Sequence, residues 1–175
     1  TGSGGMVNTI YTTNILDALM DKSSITIDEP LAEAYRKWEA TNPADRRCAW
    51  GADSSQPEMP LSEEQISEAA ARSQNAVVVI GRTAGEDRDN TPEEGSYYLT
   101  RTEDTMLHNV RKHFARVAVV LNVSNLIDTS WADKQNIDAL LYVWHGGQDG
   151  GTAIADVLCG DRYPSGKLSD TAIYD

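Results

Sequence analysis

Basic side chains are scarce in this sequence. Fifteen Lys and Arg stand against 27 Asp and Glu, a formal net charge of −12. That much negative charge repels phosphate backbones and anionic lipid, which argues against nucleic acid and membrane surfaces as partners. Cysteine is almost missing: only Cys48 and Cys159 occur, far apart, and they read as two free or buried thiols in a reducing compartment. No CxxC or HExxH is present, and His108, His113 and His145 are not spaced as a ligand cluster, so no metal is expected. No apolar run approaches the length of a membrane span. The opening residues TGSGGMVN lack the basic start and apolar centre of a signal peptide. Internal repeats are absent as well.

What is present is a globular composition, 40% hydrophobic and 24% charged, over 175 residues, enough for one domain spanning 1–175 with its own core. Asn14 or Thr13 is placed to cap a short helix bearing Ile15, Leu16 and Leu19. Ile25 to Ile27 reads as a short strand. Asp28 caps the next helix, with Pro30 in its first turn and Leu31, Ala34, Tyr35 and Trp38 at helical spacing. Residues 41–60 hold three prolines and no clear period, a long irregular connection of the kind that often carries function.

Beyond it the pattern turns regular. Ser62 with Gln65, and Thr100 with Glu103, have the spacing of capping boxes. Ala76–Ile80, Val117–Leu121 and Ala139–Trp144 are continuous apolar strands. Amphipathic segments separate them, including one with Leu107, Val110 and Phe114 on a single face and a short one over 130–135. A helix over Thr152–Leu158 ends at Gly160, and Thr171–Tyr174 is placed to add a last strand. Such an order predicts an α/β fold, a mostly parallel sheet with helices on both faces. Ligands of such sheets bind beyond the carboxyl ends of the strands. Two loops leave from those ends: TAGEDRDN after Ile80, and HGGQDGG after Trp144.

The glycine clusters fail as nucleotide motifs. Gly2-Ser3-Gly4 lacks the third glycine of GxGxxG, and no strand precedes it; Gly147 and Gly150 are misplaced for that fingerprint. In PSGKL (164–168) the upstream glycine, Gly160, is one residue too far, and Leu168 stands where a phosphate loop needs Ser or Thr. HGGQDGG is better read as tight strand-to-helix packing, and no cofactor is expected. The loop TAGEDRDN carries Glu86, Asp87, Arg88 and Asp89. Most charge runs are solvated surface. This one sits at a strand's carboxyl end, is long, and has Gly85 directly before Glu86, which raises a catalytic reading.

Taken together, TGSGG, VVVIGRTAGEDRDN, VAVVLNVSNLID and WHGGQDGGTAIADVLCGDRYPSGKL resemble glycoside hydrolase family 3, the β-glucosidases and related exo-glycosidases, in their α/β sandwich domain. The last string is the most specific, covering Trp144–Leu168 almost unbroken. GRTAGEDRDN with the preceding PEMPL looks most like bacterial members whose two main domains occur in swapped order, which implies a bacterial, cytoplasmic protein.

The resemblance implies hydrolysis of a terminal β-linked sugar with retention. A nucleophilic Asp would lie on a separate (β/α)8 barrel domain, and a Glu on the sandwich's SGEGYDR-like loop would act as acid and base. The matching residue is Glu86; Asp87-Arg88-Asp89 departs from the usual Gly-Tyr-Asp-Arg, so no roles carry over to Arg88 and Asp89. By the same resemblance Ser3, in the GTGSG-like loop, is a candidate sugar contact, with a loose chain end as the plain alternative. A barrel needs about 250 residues, and the strand that begins the family's sandwich has no counterpart before Thr1. The chain therefore reads as a fragment or separately expressed domain. Its implied partners are a β-linked oligosaccharide or glucoside and the barrel domain of the same parent, and alone it is expected to be inactive. A non-catalytic carbohydrate-binding or domain-docking module is the other reading.

Overall fold

Four of the six described helices start where a side chain satisfies one of the first free backbone N–H groups. The computed structural model describes residues 10–43, 56–83 and 89–171. In it Asn14 accepts from the Asp17 amide at 2.8 Å and opens α1 (Ile15–Met20). Asp28 accepts from the Leu31 amide at 3.0 Å and, with Pro30 in the first turn, opens α2 (Glu29–Thr41). Both capping boxes form. Ser62 and Gln65 open α3 (Glu63–Ala70), and Thr100 and Glu103 open α4 (Arg101–His113).

The apolar runs become β1 (Asn75–Gly81), β2 (Arg116–Asn122) and β3 (Ala139–Tyr142), a parallel sheet in the order β1-β2-β3. Val78 lies opposite Val119, and Val119 opposite Leu140. Parallel neighbours need crossovers. α4 joins β1 to β2, the short α5 (Ser130–Lys134) joins β2 to β3, and α6 (Gly150–Leu158) follows β3. One face of the sheet supplies Val78, Ile80, Val117, Val119 and Leu121 to the main core, where they meet Ile66 of α3 and Leu107 and Val110 of α4. Leu107 and Ile80 have no exposed surface. Cutting such a leucine to alanine typically costs about 2–5 kcal/mol.

The other face is less covered than a doubly apolar run implies: Val77 and Val79 of β1 remain 46% and 39% exposed. Leu16 of α1 lines the same cavity as Val79, which puts α1 on that second side. α1 and α6 pack together through Ala18, Leu19 and Ala155. Ile25 and Ile27 join this cluster, and the expected strand over Ile25–Ile27 does not form. That stretch has no ladder partner among the described residues. It leaves α1 through a turn, with the Ile25 amide donating to Lys22 O, and uses its apolar side chains to close the helix pair.

β3 is shorter than expected, because Trp144 turns the chain at φ +54°. α6 starts at Gly150 rather than Thr152, and Gly160, at φ +81°, follows its end as a left-handed cap. The expected strand Thr171–Tyr174 falls outside the described residues except for Thr171, which is not in a strand. The architecture is an α/β sandwich built on a parallel sheet, and no described helix is long and apolar enough to cross a membrane.

Candidate functional site at the carboxyl ends of the strands

Arg82 is the first residue beyond β1, and it is held at every polar group of its backbone. Its amide donates to Asn122 O at 3.1 Å, and its carbonyl lies 2.9 Å from His145 Nε2. A carbonyl only accepts, so Nε2 carries the proton, and the Ser124 hydroxyl, 2.7 Å from Nδ1, is left to donate there. The Arg82 guanidinium donates to both carboxylate oxygens of Glu103, at 2.5 and 2.7 Å. Both side chains are more than nine-tenths buried. Glu103 meanwhile accepts from the Thr100 amide at 2.8 Å as the return half of the α4 capping box. The end of β1 is thereby fastened to the start of α4.

Asn90, on the far side of residues 84–88 in sequence, is fixed as well. The Asn90 side chain donates to Leu126 O, and the Asn125 side chain reaches Asn90 Oδ1 at 3.5 Å. Glu86 belongs to residues 84–88 and lies outside the described residues, as does Ser3. Residues 10–13 are tied to loop 144–149. Ile10 donates to Gln148 Oε1 at 3.0 Å, the Thr13 amide to Gln148 O at 2.8 Å, and the Tyr11 hydroxyl to Asp149 Oδ1 at 2.7 Å. The hydrogen bond to Asp149 also holds the Tyr11 phenol above its ordinary value. Loop 144–149 thus touches both segments: His145 holds Arg82, and Gln148 holds residues 10–13.

Two of the four glycines of HGGQDGG, Gly146 and Gly151, serve packing. A Cβ at Gly151 would stand 2.4 Å from Asn14 O, and one at Gly146 would stand 2.6 Å from the Gly150 Cα. Residues 164–168 run exposed beyond α6 and open no helix.

A cavity of about 510 Å³ opens beside this end of β1, with Tyr35, Trp38, Glu58, Val79, Arg82 and His145 in its wall. Glu58 Oε1 accepts from the Tyr35 hydroxyl at 3.0 Å and from the Met59 amide at 3.1 Å. Burial pushes the Glu58 carboxyl above its ordinary value, with the Tyr35 hydrogen bond opposing, and burial also pushes the Tyr35 phenol up. Arg82, Glu103, Glu58 and His145 were not singled out from sequence as site residues. The signal for Arg82 was available, an arginine directly after an apolar strand. Glu103 was fully accounted for by its capping box, and Glu58 lay in the irregular connection.

The family model for the glycosyl hydrolase family 3 C-terminal domain matches residues 1–175. A beta-glucosidase of Ruminococcus albus is 44% identical over 176 residues, covering 100% of this chain and 18% of that protein. Beta-glucosidase A of Butyrivibrio fibrisolvens is 31% identical, covering 97% of this chain and 23% of that protein. Among solved structures, a beta-glucosidase from Paenibacillus barengoltzii superposes with a TM-score of 0.92 at 48% identity, over 98% of this chain and 19% of that one. Beta-glucosidase 3B from Thermotoga neapolitana, in complex with glucose, gives 0.77 at 30% identity, over 91% and 23%. The chain spans about a fifth of the length of these relatives.

Proposed function

Because the chain belongs to glycosyl hydrolase family 3, as that family's C-terminal domain, we propose that it is the acid/base-bearing domain of a retaining, exo-acting β-glucosidase. Residues 1–175 form one α/β sandwich domain of a larger enzyme, and Glu86 is its catalytic acid and base. The observation that supports this reading is similarity over the full length of the chain to a beta-glucosidase, with the described residues that flank Glu86 in sequence, Arg82 and Asn90, both hydrogen-bonded through their side chains to the body of the domain.

The chemistry follows from residue type. A glycosidic oxygen leaves poorly unless it is protonated as its bond to C1 breaks. In the first step Glu86 gives its proton to that oxygen while a carboxylate of the partner barrel domain forms the bond to C1. In the second, the Glu86 carboxylate takes a proton from water as the water oxygen attacks C1 and frees the partner carboxylate. Retention by this route needs the two carboxyl groups about 5–5.5 Å apart. The nucleophile belongs to the remaining length of the enzyme, and the 175-residue chain alone hydrolyses no glucoside. Ser3, on the segment leading to Ile10, is a contact for the terminal sugar.

Glu86→Ala in the full-length enzyme tests the reading. Turnover of glucosides with unactivated alcohol leaving groups should fall by about 10²–10⁴-fold. Glucosides with an activated aryl leaving group need little protonation and should fall far less, and azide should restore part of the rate. An unchanged leaving-group profile would make the domain a carbohydrate-binding or docking module instead.

A further inference from the structure

We propose that the Trp144 indole is the platform for the sugar ring on the leaving-group side of the scissile bond. This deepens, and rests on, the reading of the chain as the acid/base-bearing domain of an exo-acting β-glucosidase. Trp144 stands just beyond β3 at φ +54°, in the left-handed region. Among the described residues only Asn136 shares a positive φ without being glycine, and asparagine is a type that tolerates it. A bulky side chain there is an outlier. Its neighbours block relaxation. The Val143 amide donates to Leu121 O at 3.0 Å, the Asn122 side chain donates to Trp144 O at 2.9 Å, and His145 Nε2 donates to Arg82 O at 2.9 Å. Backbone held by its surroundings in a sparsely populated region is concentrated at functional sites.

The turn itself does not need a tryptophan. Glycine reaches this conformation freely, and Gly146 and Gly147 follow in the same loop. Nor is the ring used up in the core: it stays partly exposed, with the Tyr142 ring beside it at 5.2 Å and a tilt of 42°. Trp38 and Trp131 donate their indole N–H groups to the carbonyls of Pro57 and Asp128, whereas that of Trp144 meets no acceptor among the described residues. A flat apolar face with an adjoining donor suits a pyranose ring, which offers a C–H face and hydroxyl oxygens. Position selects the side. Trp144 lies at the carboxyl ends of the parallel strands, where such sheets take ligands. This domain supplies the acid that protonates the departing oxygen, so it faces the leaving group, while the nucleophile of the partner domain attacks C1 from the opposite side.

The test uses the full-length enzyme and two substrates, cellobiose and methyl β-glucoside. Both have unactivated alcohol leaving groups and make a similar demand on the acid, but only cellobiose has a second sugar ring. KM, kcat and melting temperature are measured for the parent, Trp144→Gly and Trp144→Phe, with Glu86→Ala in parallel. Glycine suits a positive φ, so Trp144→Gly should melt close to the parent, relief of strain offsetting the lost contact with Tyr142. Its KM for cellobiose should rise roughly tenfold with kcat little changed, as expected of one lost aromatic contact. KM for methyl β-glucoside should stay within about twofold, and Trp144→Phe should recover most of the affinity for cellobiose. An unchanged KM for cellobiose overturns the proposal, and so does an equal rise on both substrates or a phenylalanine variant no better than the glycine one. Trp144→Leu carries the same comparison should the glycine variant fail to fold. Failure of both to fold also overturns it, because the ring is then a structural element first. If Glu86→Ala falls equally on methyl and activated aryl glucosides, the acid/base reading fails and the proposal with it. If Glu86→Ala shows leaving-group dependence while the Trp144 variants show no split between the two substrates, only the platform falls.

Discussion

Gly151→Ala sets two effects against each other, and their sizes decide the sign. Gly151 lies in the first turn of α6, and alanine is favoured over glycine in a helix by about 1 kcal/mol. On propensity alone the variant should be more stable. The structure leaves no space for the methyl group. Its carbon would stand 2.4 Å from Asn14 O, 2.5 Å from Asn14 C and 2.8 Å from Thr13 C, all backbone atoms. Cβ contacts under 3.0 Å are essentially never found, so residues 13–14 must retreat by at least about 0.6 Å. Those residues carry the Asn14 cap of α1 and the 2.8 Å bond from the Thr13 amide to Gln148 O. Overpacking costs about 1–3 kcal/mol, and losing the Thr13 bond costs about 0.5–1.5 kcal/mol more. The clash wins, by about 0.5–3.5 kcal/mol net. For a chain of this length that lowers the melting temperature by roughly 2–10 °C. Calorimetry reads the shift, and hydrogen exchange at the Thr13 amide reads its cause. Gly147→Ala is the control, since a Cβ there meets nothing within 4 Å. A Gly151→Ala chain that melts at or above the parent, with Thr13 still protected, refutes the close-packing account of this loop.

Three further outcomes are expected. Glu103→Ala strands the buried Arg82 guanidinium and removes half a capping box, so urea unfolding should show a loss of about 3–5 kcal/mol; a loss well under 1 kcal/mol would mean that Arg82 is not buried as described. Asp28 is held below the usual carboxylate range, chiefly by its hydrogen bond from Arg72 and also by the Leu31 amide. That stabilisation is present above the unfolded-state pKa and lost as pH falls through the depressed folded value. Asp28→Asn should therefore trail the parent at neutral pH and match it in strong acid, read from unfolding free energy against pH. Glu58 has the opposite sign. Its carboxyl is raised by burial, so its contribution is present at low pH and lost as pH rises through the folded value. Glu58→Gln should gain on the parent as pH climbs from about 4 to about 8, and a melting-temperature difference independent of pH would contradict the burial.

The features that sequence revealed are those made by near neighbours in the chain. Asn14, Asp28, Ser62 and Thr100 bond to amides three residues on, so their spacing is enough to place four helix starts. Runs such as VVVI have no helical period and enough β-branched residues to specify a strand. Contacts made across the fold were hidden. Ile25–Ile27 has the composition of a strand, but the chain buries it against Ala18, Leu19 and Ala155, a choice made by tertiary packing. Val77 and Val79 have the same composition as Val78 and Ile80, yet stay open because they point to the other side. The roles expected of Glu86 and Ser3 rest on resemblance alone, and both residues lie outside the described residues. Glu103 shows the limit most clearly. Its local role accounts for it, and nothing nearby in sequence reveals that its carboxylate also receives Arg82 from 21 residues away.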